Sequence, residues 1–80
     1  MTETAYLLVK SVVGRELVVT EAFKRVNGVK EVCAITGPYD YLIKLEGENM
    51  KEIGKALLHQ VRQISGVNDS LTMVVVATYL

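Results

Sequence analysis

The same six-residue pattern occurs twice in the chain, and it constrains the fold more than any other feature. Residues 26–31 and residues 64–69 both read apolar, polar, Gly, Val, polar, acidic. A segment with helical periodicity precedes each copy, and a strand-like segment follows it. Because glycine just past the last periodic residue is typical of a helix C-terminus, Gly28 and Gly66 predict the ends of two helices, each leading into a strand.

The two helices are predicted over residues 15–26 and residues 50–64. Their apolar residues recur at the spacing of a single helical face. These stripes are Val19, Ala22, Phe23 and Val26 in the first helix, and Ile53, Ala56, Leu57, Val61 and Ile64 in the second. Asn49 followed by Glu52 predicts a capping box at the start of the second helix. Gly54 lies inside that helix and predicts a close packing contact there.

The remaining apolar segments predict strands over residues 5–10, 30–36, 40–46 and 68–79. The predicted order is βαββαβ, which consists of two split βαβ units joined by a central hairpin. This order is the ferredoxin-like α+β pattern, with a four-stranded antiparallel sheet and both helices on one face. We therefore expect residues 1–80 to form a single domain of this class.

The outer strands of this predicted sheet are apolar on both faces. Residues 6–9 and residues 71–79 are apolar in both alternating phases, yet the two helices can cover only one face. The chain has 80 residues, and a domain of this size builds only a marginal core of its own. The pattern therefore predicts a dimer in which two sheets pack face to face.

Composition excludes several function classes. Nine Lys and Arg residues balance nine Asp and Glu residues, so the basic footprint of a nucleic-acid-binding protein is absent. The apolar runs are too short to span a bilayer.

The lone cysteine, Cys33, is expected to be a small core residue in a reducing, cytoplasmic setting. We expect no metal, no cofactor, no membrane and no direct nucleic acid among the partners.

The connection over residues 36–40 predicts a tight turn with binding potential. Pro38 and Gly37 suit a turn, and Asp40 then stands at the head of a strand. A carboxylate beside free backbone N–H groups suits a small zwitterion such as an amino acid, because the acid takes the ammonium and the amides take the carboxylate. The alternative interpretation is an ordinary hairpin turn.

Catalysis has little support in the sequence. His59 is the only histidine, and it lies off the apolar stripe of its helix, as a solvated residue would. No nucleophile with an adjacent base can be assembled from the pattern, and Asp40 alone is not a catalytic apparatus. Two alternatives to a ligand sensor stay open: a structural interaction subunit without a ligand, and a small dimeric α+β-barrel enzyme.

An ordered set of residues along the whole chain resembles the C-terminal effector domain, or RAM domain, of the Lrp/AsnC transcriptional regulators. The matching positions are Gly14, Gly28-Val29, Val32, Thr36-Gly37-x-Tyr39-Asp40-Tyr41, Gly66-Val67 and Ser70-x-Thr72. The resemblance implies sheet-to-sheet dimers that assemble into a higher ring such as an octamer. It also implies that amino-acid effectors bind near the hairpin and the last strand.

Carried over residue by residue, the resemblance implies a ligand-binding set. Asp40 would hold the α-ammonium of an amino acid, and turn amides near Gly37 would hold its carboxylate. Ser70 or Thr72 would add a hydroxyl hydrogen bond, and Tyr39 would form a wall of the pocket.

Full-length members of the family carry an N-terminal helix-turn-helix domain. Because the first predicted strand begins near the start of this chain, we expect a stand-alone module without that domain. The implied function is an amino-acid-sensing module, and a full-length Lrp/AsnC regulator is a potential partner through the shared dimer surface.

Overall fold

The computed structural model describes residues 2–80, apart from the side chain of Leu58. The elements are β1 (Glu3–Ser11), α1 (Glu16–Lys24), β2 (Val29–Ala34), β3 (Tyr41–Gly47), α2 (Met50–His59), a 3₁₀ turn (Val61–Gln63) and β4 (Val67–Val74). Their order is the predicted βαββαβ, and the strands form one sheet in the order β2-β3-β1-β4. Every neighbouring pair of strands is antiparallel. The predicted ferredoxin-like fold is confirmed.

The core lies between the two helices and one face of the sheet. Alternate residues of the central strands are buried there, as the period of two along a strand requires. The buried residues are Ala5, Leu7, Val9, Val19, Phe23, Val26, Tyr41, Ile43, Leu45, Ile53, Ala56 and Val61. The predicted stripes of both helices supply the helix side of this core, and Leu57 and Ile64 pack against it partly buried.

Both helices end before the repeated glycines, as the repeat predicts. Gly28 has a φ of +99° and Gly66 a φ of +100°, a left-handed conformation that glycine adopts without strain. The helical segments are nevertheless shorter than predicted. The first ends at Lys24 rather than residue 26, and the second tightens into the 3₁₀ turn after His59.

The start of α2 is capped largely as predicted. The side-chain oxygen of Asn49 accepts a hydrogen bond from the Glu52 N–H at 2.9 Å. Glu52 in turn accepts from the Glu48 N–H at 3.2 Å, one residue earlier than a standard capping box. The expectation for Gly54 is wrong, because a Cβ added there would meet nothing within 4 Å.

The last strand is shorter than predicted and poorly covered. It ends at Val74, whereas the sequence predicted a strand to residue 79. Its regular pairing with β1 ends at the pair Ala5–Val74, although β1 itself begins at Glu3. Past that pair, a single hydrogen bond joins the Val75 N–H to the Thr4 carbonyl at 3.0 Å. Beyond its first residue β4 is exposed along its length.

Candidate functional site

The connection between β2 and β3 is longer than a tight turn. It spans residues 35–40 and is closed by a hydrogen bond from the Ile35 N–H to the Asp40 carbonyl at 2.9 Å. Gly37 has a φ of +115°, which is why this position favours glycine. No atom lies within 4 Å of where its Cβ would stand, so the outer part of the loop is open.

Asp40 is fixed to the end of the sheet by its own backbone and side chain. Its N–H donates to the Val9 carbonyl at 2.8 Å, and its carboxylate oxygen Oδ2 accepts from the Ser11 N–H at 2.9 Å. These bonds continue the β1–β3 pairing past Tyr41. Among the described residues, the second carboxylate oxygen, Oδ1, has no hydrogen-bond partner. One carboxylate oxygen is therefore structural, and the other remains free for a donor.

The hairpin presents donors as well as this acceptor. In the described part of the chain, the N–H groups of Gly37 and Tyr39 donate to no protein atom. Tyr39 is half-buried and Asp40 is exposed. Backbone donors and a carboxylate on one short loop can bind the two ends of a zwitterion.

Ser70 and Thr72 lie elsewhere in the fold. They pair with Val9 and Leu7 of β1, and directly opposite residues in a sheet share a face. Both therefore point to the helix side of the sheet. There they line a hollow of about 190 Å³ together with Gly54, Leu57, Val61 and Arg62. The open space above Gly54 is part of this hollow.

Arg62 is a polar residue of this hollow that the sequence did not single out. It follows Val61 at the end of the second helical segment. The signal available in the sequence was therefore a basic residue shortly before the last strand. A guanidinium presents several donors to a carboxylate. The hollow therefore combines a cation with two hydroxyl groups.

The hairpin and the hollow are separate places in one chain. Tyr41, Val9 and Ser70 stand in one row across the sheet, so two strand spacings, about 9.5 Å, separate the outer two backbones. Asp40 immediately precedes Tyr41, the first residue of β3, whereas Ser70 faces the helix layer. A single chain does not bring the five predicted ligand-binding residues together.

A larger hollow of about 470 Å³ lies at the opposite end of the sheet, between β2, β3 and α2. Its charged lining residues are Lys30, Glu46, Glu48, Glu52 and Lys55. The remaining lining consists of apolar core residues, of Gly28 and Gly47, and of the polar residues Thr2, Asn27 and Gln60. Part of its polar lining is already engaged, because the Gln60 side chain accepts a hydrogen bond from the Asn27 N–H at 3.3 Å. The sequence did not predict this hollow.

The face of the sheet away from the helices, here called the outer sheet face, is apolar at its centre. Leu8 pairs with Leu42 on one side and with Leu71 on the other, and Tyr6 pairs with Met73. Leu71 is 47% exposed and Met73 is 40% exposed. Contiguous apolar surface of this kind is typical of a protein interface.

Cys33 lies on the outer sheet face, opposite Leu42, so the expectation of a core cysteine is wrong. It is half-buried, and its thiol donates a hydrogen bond to Oε1 of Glu31 at 3.2 Å. This hydrogen bond, together with partial burial and the negative charge of Glu31, raises the pKa of the thiol above its ordinary value.

Within residues 2–80, no group of three or more His, Cys, Asp or Glu side chains lies close enough together to hold a metal ion. None of the described helices has the length and hydropathy to cross a membrane.

The sheet order and the placement of the helices define a ferredoxin-like α+β domain with a polar hairpin and an apolar outer face. The sequence profile described as the Lrp/AsnC ligand binding domain matches residues 4–80. The chain belongs to the Lrp/AsnC ligand-binding-domain family.

Two curated relatives differ in kind. An uncharacterized HTH-type transcriptional regulator of Pyrococcus horikoshii is 39% identical over 56 residues, which cover 70% of this chain and 37% of that protein. A homocitrate synthase of Saccharolobus islandicus is 37% identical over 57 residues, which cover 71% of this chain and 12% of the enzyme. The matches therefore span about a third of the regulator and a small part of the enzyme.

Solved structures share the whole fold. A protein of Thermus thermophilus superposes with a TM-score of 0.91 over 98% of both chains at 24% identity. A transcriptional regulator of Neisseria meningitidis, solved as a complex with L-Met, superposes with a TM-score of 0.85 at 19% identity. That match covers 94% of this chain and 50% of the regulator.

Proposed function

We propose that this chain is a cytoplasmic, non-catalytic regulatory module that binds a small amino acid and dimerises through its outer sheet face. The observation that carries the proposal is the match of residues 4–80 to a ligand binding domain of regulators. The L-Met complex of the Neisseria regulator supports an amino acid as the ligand class.

The hairpin supplies the recognition groups of the proposed site. Oδ1 of Asp40 takes the α-ammonium, since Oδ2 is held by Ser11. The N–H groups of Gly37 and Tyr39 take the α-carboxylate, and the half-buried Tyr39 ring forms a wall. These groups are open to solvent in a single chain, where ionic contacts are weak. A neighbouring copy that covers the hairpin would strengthen them by excluding water.

Ser70 and Thr72 belong to the proposed site as residues that a neighbouring copy supplies. Strand β1 separates them from Asp40 within one chain, so they can meet the hairpin only across an interface. The adjoining Arg62 is a second donor for the ligand carboxylate. The preference for one amino-acid side chain over another then depends on residues from more than one copy of the chain.

The outer sheet face is the proposed dimer surface. Leu8, Leu42 and Leu71 form its apolar row, and a second copy presents the same row to cover it. Dimers then assemble into a higher ring such as an octamer, as the family resemblance implies. A full-length Lrp/AsnC regulator that carries the same face can take the place of one copy, which would let this module modulate that regulator.

An α+β-barrel enzyme finds no support inside the fold. Such an enzyme needs polar groups in a pocket between the helices and the sheet. The buried side chains described there are all hydrophobic. The two hollows do have polar lining residues, but those of the hollow beside β4, Arg62, Ser70 and Thr72, are exposed rather than enclosed. The partial match to a homocitrate synthase covers 12% of that enzyme, and we interpret it as a regulatory portion attached to an unrelated catalytic domain.

The test is a thermal-shift screen of the purified chain against the twenty amino acids, with light scattering on the same samples. A ligand at a hundred times its Kd adds about 2.7 kcal/mol to the free energy of unfolding. For a chain of 80 residues, each kcal/mol raises Tm by about 4–8 °C. We expect one amino acid, or a small chemically related group, to shift Tm. A stable dimer that responds to none would leave a structural subunit.

Asp40→Asn is the diagnostic variant. Asparagine can still accept the hydrogen bond from the Ser11 N–H, so the sheet end is retained, but the charge for the α-ammonium is lost. Asp69→Asn is the matched control, because Asp69 is also exposed and accepts only from its neighbour Ser70. We expect the ligand shift to disappear in the first variant and persist in the second. An unchanged ligand response in Asp40→Asn would remove Asp40 from the site.

A further inference from the structure

The larger hollow, between β2, β3 and α2, takes no part in the proposed function. Its volume of about 470 Å³ lies within the range of small-molecule sites, whereas the hollow beside β4 measures about 190 Å³. The buried residues Leu45, Ile53 and Ala56 form its apolar floor. It therefore combines an apolar floor with a polar rim, as ligand pockets do.

Close backbone contacts fix the walls of the larger hollow. The Glu46 N–H donates to the Gly28 carbonyl at 2.8 Å, and a Cβ at Gly28 would stand 2.7 Å from the Glu46 carbonyl oxygen. A Cβ at Gly47 would stand 3.0 Å from Cγ1 of Ile53. Because these contacts hold the start of β2, the end of β3 and α2 together, a ligand would enter a preformed site at little ordering cost.

Lys30 stands outside the regular strand pairing at the rim of the larger hollow. Val29 pairs with Leu45, and Glu31 pairs with the preceding residue of β3, Lys44. Lys30 is therefore an extra residue between two consecutive pairs. A β-bulge of this kind re-aims a side chain and is common next to active sites. Lys30 lines the hollow, and among the described residues it has no ion-pair partner.

Lys55 of α2 lines the same hollow. It stands three residues after Glu52, which is the spacing at which Glu21 and Lys24 of α1 form an ion pair at 3.1 Å. Oε2 of Glu52 instead accepts a hydrogen bond from the Glu48 N–H at 3.2 Å. Within residues 2–80, Lys55 forms no ion pair. With Glu52 engaged in the cap of α2, the ammonium of Lys55 is left for a ligand.

The acidic groups stand at a different place on the rim. Glu48 follows the end of β3, and that end lies two strand steps, about 7 Å, past Leu45, beside which Lys30 stands. In the part of the chain that the structure describes, the Glu48 carboxylate has no ion-pair or hydrogen-bond partner. Lys55 stands almost one helical turn past Glu52. The rim therefore offers cations and carboxylates several ångströms apart.

We propose that the larger hollow binds a zwitterion longer than an α-amino acid, of the size of a dipeptide. Lys30 and Lys55 hold its carboxylate, and Glu48 holds its ammonium. Gln60 adds a donor, because its side-chain oxygen accepts the Asn27 N–H and its NH₂ group faces no such demand.

The separation of the charges sets the length of this ligand. An α-amino acid carries both charges on one carbon and cannot reach both parts of the rim, whereas each added residue extends a chain by up to about 3.3–3.6 Å. A dicarboxylate would meet the charge of Glu48, and a diamine would meet the two lysines, so both are disfavoured. The charge of Glu46 is compensated by Lys44 at 3.7 Å.

The test is a calorimetric titration of the purified chain with L-alanyl-L-alanine. L-alanine, succinate, and the N-acetylated and C-amidated dipeptides are the comparison ligands. All titrations are repeated on Asp40→Asn, which removes the charge of the hairpin site. We expect the dipeptide to bind both chains equally, and each comparison ligand to bind Asp40→Asn on the order of tenfold more weakly, because each lacks a charge or the span. No binding of the dipeptide, or equal binding of succinate or L-alanine, would overturn the proposal.

Charge-removing variants assign the two ends of the ligand. Lys30→Gln and Lys55→Gln should each weaken dipeptide binding on the order of tenfold. Glu48→Gln should weaken binding of the dipeptide but not of its N-acetylated form, which has no ammonium. Lys51→Gln is the matched control, because Lys51 is exposed on the same helix and lines neither hollow. An unchanged affinity in both hollow lysine variants would contradict the assignment.

Nuclear magnetic resonance locates the bound dipeptide independently of any variant. The side-chain NH₂ resonances of Gln60 should shift during the titration, while the amide of Gly37 in the hairpin should not. A shift at Gly37 without one at Gln60 would place the dipeptide at the hairpin and overturn the proposal. Amino-acid binding at the hairpin is lost in Asp40→Asn and kept in Lys30→Gln, so failure of this site is distinguishable from failure of the sensor function.

Discussion

Replacing Gly28 by alanine should destabilise the chain far more than the same change at Gly14. Both glycines have positive φ, +99° and +89°. The conformational cost for an alanine at such an angle is about 1–2 kcal/mol, partly offset by about 0.4–1 kcal/mol from the less flexible unfolded chain. The two sites differ in their surroundings. A Cβ at Gly28 would lie 2.7 Å from the carbonyl oxygen of Glu46, whereas a Cβ at Gly14 would meet nothing within 4 Å.

The contact at Gly28 involves backbone, so a side-chain rotation cannot relieve it. The Glu46 N–H donates to the Gly28 carbonyl at 2.8 Å, and a shift of either segment strains this bond. Forced overpacking of this kind costs about 1–3 kcal/mol. We therefore expect Gly28→Ala to lose about 2–4 kcal/mol in total and Gly14→Ala about 1 kcal/mol.

Urea denaturation of both variants at one protein concentration measures the difference, because dimerisation makes stability concentration-dependent. Equal losses at the two glycines would refute the reasoning, since the close approach of Glu46 would then carry no cost.

Two further predictions concern the outer sheet face. Leu8→Asp should dissociate the dimer, because Leu8 stands at the centre of the apolar row. Leu17→Asp, in the exposed first turn of α1, should leave the dimer intact. Sedimentation velocity checks both variants, and a dimeric Leu8→Asp variant would contradict the proposed surface. Glu31→Gln should lower the pKa of Cys33, because Glu31 accepts the thiol proton's hydrogen bond and repels the thiolate. Alkylation of Cys33 by iodoacetamide should then rise at lower pH than in the parent chain, and identical pH profiles would exclude this role of Glu31.

The fold could be predicted from the sequence because the spacing of apolar residues and the residues that end or cap each element indicate the same helices and strands. The Gly-Val repeat marks both helix-to-strand transitions, and the structure places Gly28 and Gly66 there with positive φ. The Asn49 cap follows from a local pattern within one turn of helix. Such features depend on neighbouring residues, which is why they can be read from a single chain.

The errors arise where the answer depends on residues far away in the sequence. The end of β4 at Val74 is set by where its pairing with β1 stops, at Ala5–Val74, and not by its own apolar run. Gly54 faces open space, in a hollow that Ser70 and Thr72 of β4 also line. Cys33 points to the outer face because the register of β2 against β3 places it opposite Leu42.

The ligand-binding role of the candidate residues stays a prediction, and the structure bears only on where they lie. The hairpin carries free backbone donors and Asp40, as expected, but the hydrogen bond between Asp40 and Ser11 was not foreseen. That bond joins residues 29 positions apart, beyond the reach of local patterns. Ser70 and Thr72 occupy a different face of the sheet, beside Arg62. Which residues of several chains meet at one ligand depends on the assembly, so this part of the site stays a prediction.

Native mass spectrometry in the presence of the amino acid selected by the screen tests the central claim most directly, because one spectrum reports assembly and bound ligand together. The account predicts even-numbered assemblies, each protomer carrying one amino acid, and loss of the ligand mass in Asp40→Asn with the assembly retained. A monomer, or an assembly that carries no amino acid at any concentration, would contradict it.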